Sequence, residues 1–434
     1  MKTQALVVAA SVLGFAIGCG GSSNSSVGDQ TPPAATDTPP AATDMPATPP
    51  PPKDHGAVST TYPAFTPEVG QLVDNGGQVL TNPVIVTVTW ANEPNVDTFE
   101  QFADALGPSA YWKQVTSEYG VGPATSGATQ HIRLADPPPA TINDSDIPAL
   151  LAQHLQANDG VLPAATGNEI YIFYIPEKST FNLQGQEVCS TGVGGYHENT
   201  AVGGKQVAFA VVPQCGGLDE TTLSASHELA EAATDPFPMA LPAYSGFDDN
   251  HLAWEFFQQF QSENGDACEF YREAPMDATS FGVPFTTQRQ WSNKSGAGGH
   301  NPCVPAPQGP YFNVTPLDLE SIDLDLSALG GDTATTKGYK VKVGETKTVP
   351  FGFYSDAATT GPWTITAQLG GIMGRTSGSV DLSFDVTSGQ NGQKAYLTIT
   401  ANTAGKTGGE LVTIVSNLNG TKHYMPIMIG SPAK

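Results

Sequence analysis

His227 and Glu231 stand four residues apart, and Glu228 follows the histidine directly, in the run Ser226-His227-Glu228-Leu229-Ala230-Glu231-Ala232-Ala233-Thr234-Asp235-Pro236. On a helix, residues at this spacing share a face. An imidazole nitrogen and a carboxylate oxygen one turn apart can hold one cation between them, at about 2.0–2.2 Å if it is zinc. In H-E-x-x-H enzymes the glutamate after the first histidine is the general base that activates the attacking water. Here the pattern is H-E-x-x-E. A carboxylate in the second ligand position adds negative charge and weakens the cation's Lewis acidity, but leaves the geometry feasible. The plainer explanation is a helix with one solvated acidic face. Against it stands the Ala/Leu-rich context, which predicts a buried helix, and a buried histidine flanked by two carboxylates requires a compensating partner.

Further candidate ligands lie along the chain. His197 sits in a Gly-rich loop between Cys189 and Cys215, as a ligand, a substrate-facing donor or a plain surface histidine, Glu263 and Asp266 fall in Glu263-Asn264-Gly265-Asp266-Ala267-Cys268, and Asp235 closes the motif helix before Pro236. His251, Trp254, Phe256, Phe257 and Phe260 form an aromatic segment that reads as core packing or as the wall of a cleft. Other chemistries find less support. No Gly-x-Ser-x-Gly turn occurs, the cysteines are more economically disulfides than nucleophiles, and facing carboxylates for glycoside hydrolysis arise by chance in so acidic a chain.

Taken in order, Cys189 to Gly194-Gly195-Tyr196-His197, the stretch 207–213 with Cys215, the helix from Ser226 to Pro236, and Glu263 to Cys268 resemble the ordered motifs of the plant phosphate-induced, EXORDIUM-like secreted proteins and their bacterial relatives. The resemblance covers roughly residues 80–305 and implies a secreted protein rather than a defined reaction. Locally, His227 and Glu228 also resemble the zincin metallopeptidases, from which Glu231 departs. That resemblance implies a downstream carboxylate as third ligand. Asp266, 39 residues beyond His227, takes that place, with Glu263 the runner-up and Asp235 a supporting group.

The elements that must hold these residues read as a mixed α and β layer. The stretches 84–90, 170–175 and 207–212 are strand-like, residues 99–119 carry a helical stripe broken at Gly107-Pro108, and a helix is expected from Asp146 to Asn158 with Ser145 as its cap. The motif helix should start at Thr221 or Thr222 and end before Pro236. Strands interleaved with helices predict an α/β layered, mixed-sheet, zincin-like domain over residues 61–308. Beyond it, short alternating segments at 339–343, 346–353, 363–368, 380–386, 395–401 and 410–416 predict an all-β Ig-like sandwich over 309–434.

The N-terminal residues address the chain elsewhere. An apolar run at 5–17 behind Lys2 is too short to span a bilayer and suits a signal segment, residues 1–18. It ends in Ala16-Ile17-Gly18-Cys19, which resembles the bacterial lipobox, with Ala16 where Leu is more usual; the resemblance implies a lipidated Cys19. Residues 19–60, with a seven-residue Thr-Pro-Pro-Ala-Ala-Thr-Asp repeat, cannot bury a core and should form an extended tether. Its Pro-rich part would reach ~70 Å at about 3.1 Å per residue. Cys189, Cys215, Cys268 and Cys303 remain, an even count that predicts two disulfides in an exported protein; proximity favours Cys189 with Cys215 and Cys268 with Cys303.

A net charge of −24, from 42 acidic against 18 basic residues, repels phosphate backbones and anionic lipid, so nucleic acid is excluded and the membrane is reached only through the lipid anchor. The expectation is a lipid-anchored, extracytoplasmic protein of the cell envelope, at the cell surface. Its expected activity is that of a zinc-dependent hydrolase acting on extracellular peptide or protein. The metal ligands would be His227, Glu231 and Asp266, with Glu228 as the base. The alternative is a non-catalytic lipoprotein of adhesion or sensing whose metal or charge cluster is structural.

Overall fold

The computed structural model describes residues 53–430 apart from 260–261, 328–330, 376 and 406. The signal segment, Cys19, the tether through residue 52 and Phe260 lie outside the described residues.

The first layer is built on a five-stranded sheet. Its strands are β1 (Val84–Thr89), β2 (His131–Arg133), β3 (Glu169–Ile175), β4 (Tyr196–Val202) and β5 (Lys205–Pro213), in the order β2-β1-β3-β5-β4. The first four run parallel and β4 pairs antiparallel at the edge, with His197 opposite Ala210. The continuous apolar runs of β3 and β5 are explained by burial on both faces, as parallel strands require. One face carries α1 (Val96–Leu106), α2 (Ala110–Thr116) and the motif helix α4 (Leu218–Thr234); the other carries α3 (Asp146–Ala157). The break at Gly107-Pro108 separates α1 from α2, which Ser109 caps by accepting from the Trp112 N–H.

Two helix starts differ from the sequence reading. Ser145 makes no side-chain cap; Asp146 Oδ2 instead accepts from the Asn143 N–H. Helix α4 begins a turn early, at Leu218 after Gly217, with Asp219 and Glu220 set favourably against the positive end of the helix dipole. Thr221 and Thr222 turn their hydroxyls back to the carbonyls of Gly217 and Asp219 and so act within the helix.

After α4 come α5 (Leu252–Phe257), α6 (Asp266–Glu269) and the short strand β6 (Thr286–Gln288). The C-terminal part is a β-sandwich. A four-stranded sheet pairs β7 (Phe312–Pro316), β10 (Thr346–Ser355), β14 (Lys394–Ala401) and β12 (Val380–Phe384) in that spatial order. The facing sheet has six strands, β8 (Glu320–Asp325), β9 (Thr333–Lys340), β16 (Thr421–Gly430), β15 (Gly409–Leu418), β11 (Trp363–Leu369) and β13 (Ser388–Gly389). Strands β15 and β16 meet in a two-residue turn in which Asn419 and Gly420 both take positive φ, as a tight hairpin demands.

The change of sequence texture near residue 308 does not separate two cores. Trp254, Phe257 and Trp291 belong to the same buried cluster as Phe312, Phe351 and Trp363 of the sandwich. The aromatic segment of α5 is therefore core: Trp254 packs edge-on to Trp291 at 5.2 Å, and Phe257 reaches Tyr424 at 5.6 Å. Residues 55–61, counted with the tether from composition, lie along the sandwich. Ser59 and Thr61 give their carbonyls to Asn391 Nδ2, and the His55 carbonyl accepts from the Lys394 N–H. A backbone with such partners has no reason to stay extended in solvent. The disulfides join Cys189 to Cys215 and Cys268 to Cys303.

Candidate metal centre

Helix α4 is buried along nearly its whole length. Ala225, Leu229, Ala230, Ala232 and Ala233 pack with the first layer's core, which turns His227, Glu228 and Glu231 toward β4, the 262–269 segment and β6. Small residues let these neighbours approach. A Cβ on Gly195 would stand 2.8 Å from Glu228 Oε1, and one on Gly265 would meet Glu231 Oε1 at 2.7 Å and the His227 ring at 2.9 Å. The glycines of the Gly-Gly-Tyr-His and Asn-Gly-Asp motifs are thus there for space against the helix.

Both histidines converge on one oxygen. Glu231 Oε2 lies 3.1 Å from His227 Nε2 and 3.5 Å from His197 Nδ1. The other oxygen, Oε1, accepts the backbone N–H groups of Gly265 and Asp266 at 3.0 Å each, which fixes the carboxylate's orientation. His227 Nδ1 faces Gln288 Oε1 at 3.1 Å, while Gln288 Nε2 donates to the Gly265 carbonyl at 2.8 Å. That second bond orients the amide, so Gln288 can only accept from the imidazole and His227 Nδ1 carries a proton. His227 Nε2 is left to face Glu231. His197 is arranged in the same way, with Nε2 donating to the Asp235 carbonyl at 3.1 Å and Nδ1 turned to Glu231 and Glu228, the latter at 3.7 Å.

Two acids complete the cluster. Asp266 Oδ1 is 3.5 Å from His227 Nε2, carried by α6, whose Cys268 is tied to Cys303. Glu263 Oε2 comes within 3.3 Å of His197 Nε2 yet has no hydrogen bond, because that proton is directed to Asp235. Asp235 has left the helix and contributes through its carbonyl; its Oδ1 accepts from the Ala243 N–H and its Oδ2 has no partner. The acids that the sequence reading singled out are thus brought together, with Asp235 supporting from behind. His197, read as a residue of a Gly-rich loop, is on edge strand β4 with a side chain only 5% exposed. Gln288 was missed: it lies 61 residues from His227, on a three-residue strand with no periodicity to mark it.

The electrostatics are those of concentrated charge. Burial pushes Glu228 and Glu263 above the usual carboxylate range, Glu263 far above, although His227 and His197 pull against it. Burial and Glu231 raise Asp266 too. Glu231 alone is held well below that range, because His227 and His197 outweigh its burial. Burial opposes the imidazolium forms, but the surrounding carboxylates lift both histidines well above the ordinary histidine range. At the rim, burial beside Asp266 brings Glu269 up to about 7. Among the described residues, the ion pairs of Glu228, Glu231, Glu263 and Asp266 run only to the two histidines. Two imidazoles, two buried acids and two half-buried ones, without a lysine or arginine partner among the described residues, include two groups of donor atoms that could hold a cation, His227 with Glu228 and Glu231, and His197 with Glu231 and Glu263. A cleft of about 1030 Å³ lies elsewhere, on the sandwich, lined by Met373, Arg375 and Glu410 and by none of these residues.

No family model matches the chain, and no curated protein matches it. Among solved structures it is similar to domains 4 and 5 of the S-layer protein SbsC, at 13% identity over 30% of this chain and TM-score 0.17. It spans 62% of the length of that S-layer chain. It is also similar to a chimeric titin Z1Z2, at 16% identity over 29% of this chain and 97% of the other, TM-score 0.18. The Ig domain complex of titin M10 and obscurin-like 1 aligns at 14% identity over 22% of this chain and 86% of the other, TM-score 0.17. The sandwich itself rests on its own two sheets. Among the described residues no helix is long and apolar enough to cross a membrane, and the two disulfides belong to an oxidising compartment.

Proposed function

We propose that the α/β layer is a zincin-like, zinc-dependent hydrolase acting on extracellular peptide or protein, with His227, Glu231 and Asp266 as ligands and Glu228 as general base. The observation that carries this reading is the convergence of His227 Nε2 and Asp266 Oδ1, 3.5 Å apart, beside a Glu231 oxygen 3.1 Å from the same nitrogen. Ligand atoms around one ion with bonds of about 2.0–2.2 Å are separated by about that much. The mixed sheet, with antiparallel edge strand β4 beside the motif helix, is compatible with it. When bound, zinc would polarise the carbonyl under attack and bring a water's pKa to about 7.

The residues of the chain supply the rest. Gln288 holds the His227 tautomer, Glu231 is locked by two backbone N–H groups, and Glu228, whose carboxylate burial raises above the usual range, is the acid placed beside them. Glu228 would take the proton of the attacking water and return it to the leaving amine. The chain would be anchored through a lipidated Cys19, which acyl mass on the mature N-terminus would verify.

A second reading is favoured by the burial itself. The side chains of His197, Glu228 and Glu231 are 4–6% exposed, which leaves little surface for substrate and suits a structural ion in a protein of adhesion or sensing. Elemental analysis paired with a hydrolysis panel of peptides, esters and glycosides separates the two. Stoichiometric metal with no hydrolysis at all would overturn the enzyme reading.

A further inference from the structure

The donor atoms of this cluster fall into two groups rather than one. His227, Glu228 and Glu231 offer atoms that all lie within 4.8 Å of one another, and so do His197, Glu231 and Glu263. Glu231 belongs to both, and its Oε1 is already occupied by two backbone donors, so the shared atom is Oε2. Each histidine presents to that atom the nitrogen opposite its hydrogen-bonding N–H, which His227 directs from Nδ1 to Gln288 and His197 from Nε2 to the Asp235 carbonyl.

We infer that the cluster binds two divalent cations bridged by Glu231, one on the His227 and Asp266 side and one on the His197 and Glu263 side. The inference rests on the reading that the cluster holds metal at all, and extends it from one ion to two. The pairing pattern agrees with two groups: among the described residues, the ion pairs of Glu228, Glu231, Glu263 and Asp266 run only to His197 and His227, so no lysine or arginine occupies either side. The unpartnered Glu263 Oε2 is a donor that a single ion beside His227 would leave without a role. Paired ions about 3.5–4 Å apart are a recurrent arrangement in hydrolytic sites, where they hold attacking and leaving oxygens together.

The test is zinc stoichiometry on the purified full-length chain, stripped with chelator, reloaded with zinc chloride and dialysed against metal-free buffer. Two zinc ions per chain are expected, falling to one in His197→Ala and in Glu263→Gln. One ion in the wild type, unchanged in both variants, would overturn the second site while leaving the single-ion reading intact; no retained zinc would overturn both. Loading the wild type with cobalt(II) gives a readout that does not depend on whether the variants fold. A carboxylate-bridged pair should lose paramagnetic resonance intensity through spin coupling as the second equivalent binds, and intensity that rises linearly through two equivalents would exclude the bridge.

Discussion

His227 donates from Nδ1 to Gln288 Oε1, and the same amide donates to the carbonyl of Gly265, so one side chain ties the motif helix to the segment that delivers Asp266. The distances are 3.1 and 2.8 Å. Such partners of a metal-ligating histidine orient the ring and raise its basicity. Gln288→Ala should therefore weaken zinc binding by about 10- to 100-fold, read by competition with a chromophoric chelator. Gln288→Glu keeps an acceptor for His227 but loses the donor to the Gly265 carbonyl, so it should recover only part of that loss. Equal affinity in all three proteins would show that Gln288 only packs.

Gly265 and Gly195 make a second prediction. The backbone of Gly265 is at φ −76°, a conformation open to any residue, so only space reserves the position for glycine. Gly265→Ala would drive a methyl group against Glu231 and the His227 ring, and Gly195→Ala against Glu228. Each should cost about 1–3 kcal/mol, as overpacking does, and should lower zinc affinity as well. Gly361→Ala, whose added carbon meets nothing within 4 Å, should stay within about 0.5 kcal/mol of wild type. Urea titration of the three variants decides it.

These close approaches explain what could be read in advance and what could not. The helix, its end at Pro236 and the pairing of His227 with Glu231 follow from a 3.6-residue period, and parallel strands β3 and β5 from unbroken apolar runs. Asp266 and Glu263 were reachable through motif order. Gln288 was not, because a three-residue strand leaves no pattern and its role exists only once the chain has folded. His197 was misplaced for a related reason: the glycines before it resemble a loop signal, yet they let an edge strand lie against the helix. The joint core of the two parts was also invisible, since composition marks the boundary but not the packing of Phe257 on Tyr424.

A pH dependence follows from a site away from the candidate metal centre. His251 Nδ1 pairs with Asp248 at 2.8 Å and its Nε2 with Glu68 at 3.1 Å, while Lys337 of the sandwich reaches Glu68 at 2.8 Å. Although burial opposes it, Asp248 and Glu68 raise His251 above 6.5, so its contribution is complete below that value and is lost as pH climbs through the raised pKa. Glu68 is lowered from 4.5 to about 2, chiefly by His251, so its contribution is present above 4.5 and disappears as pH falls toward 2. Between those limits the clamp contributes fully. Relative to wild type, His251→Gln should lose stability at pH 5–6 and much less above the raised His251 pKa, seen as converging urea midpoints. Midpoints that differ by the same amount at every pH would refute the charge-based account.

Glu228 distinguishes a catalyst from a scaffold. Its carboxylate is 3.7 Å from His197 and adjacent in sequence to His227, but Glu231 and Asp266 are the acids nearest His227 Nε2, so the proposed ligand set leaves Glu228 out. Glutamine keeps the shape and removes the proton acceptor. Glu228→Gln should therefore retain zinc while losing hydrolysis by at least about 10²- to 10⁴-fold, the range that general base catalysis supplies. His227→Ala removes a ligand and should release the metal and, with it, part of the folding free energy. The pair is read by elemental analysis, thermal unfolding and hydrolysis of a peptide library. If Glu228→Gln loses zinc along with activity, Glu228 is itself a ligand and the base must be sought elsewhere, with Glu269, brought up to about 7 at the rim, next in line. If the variant keeps both zinc and full activity, proton transfer does not pass through the motif helix.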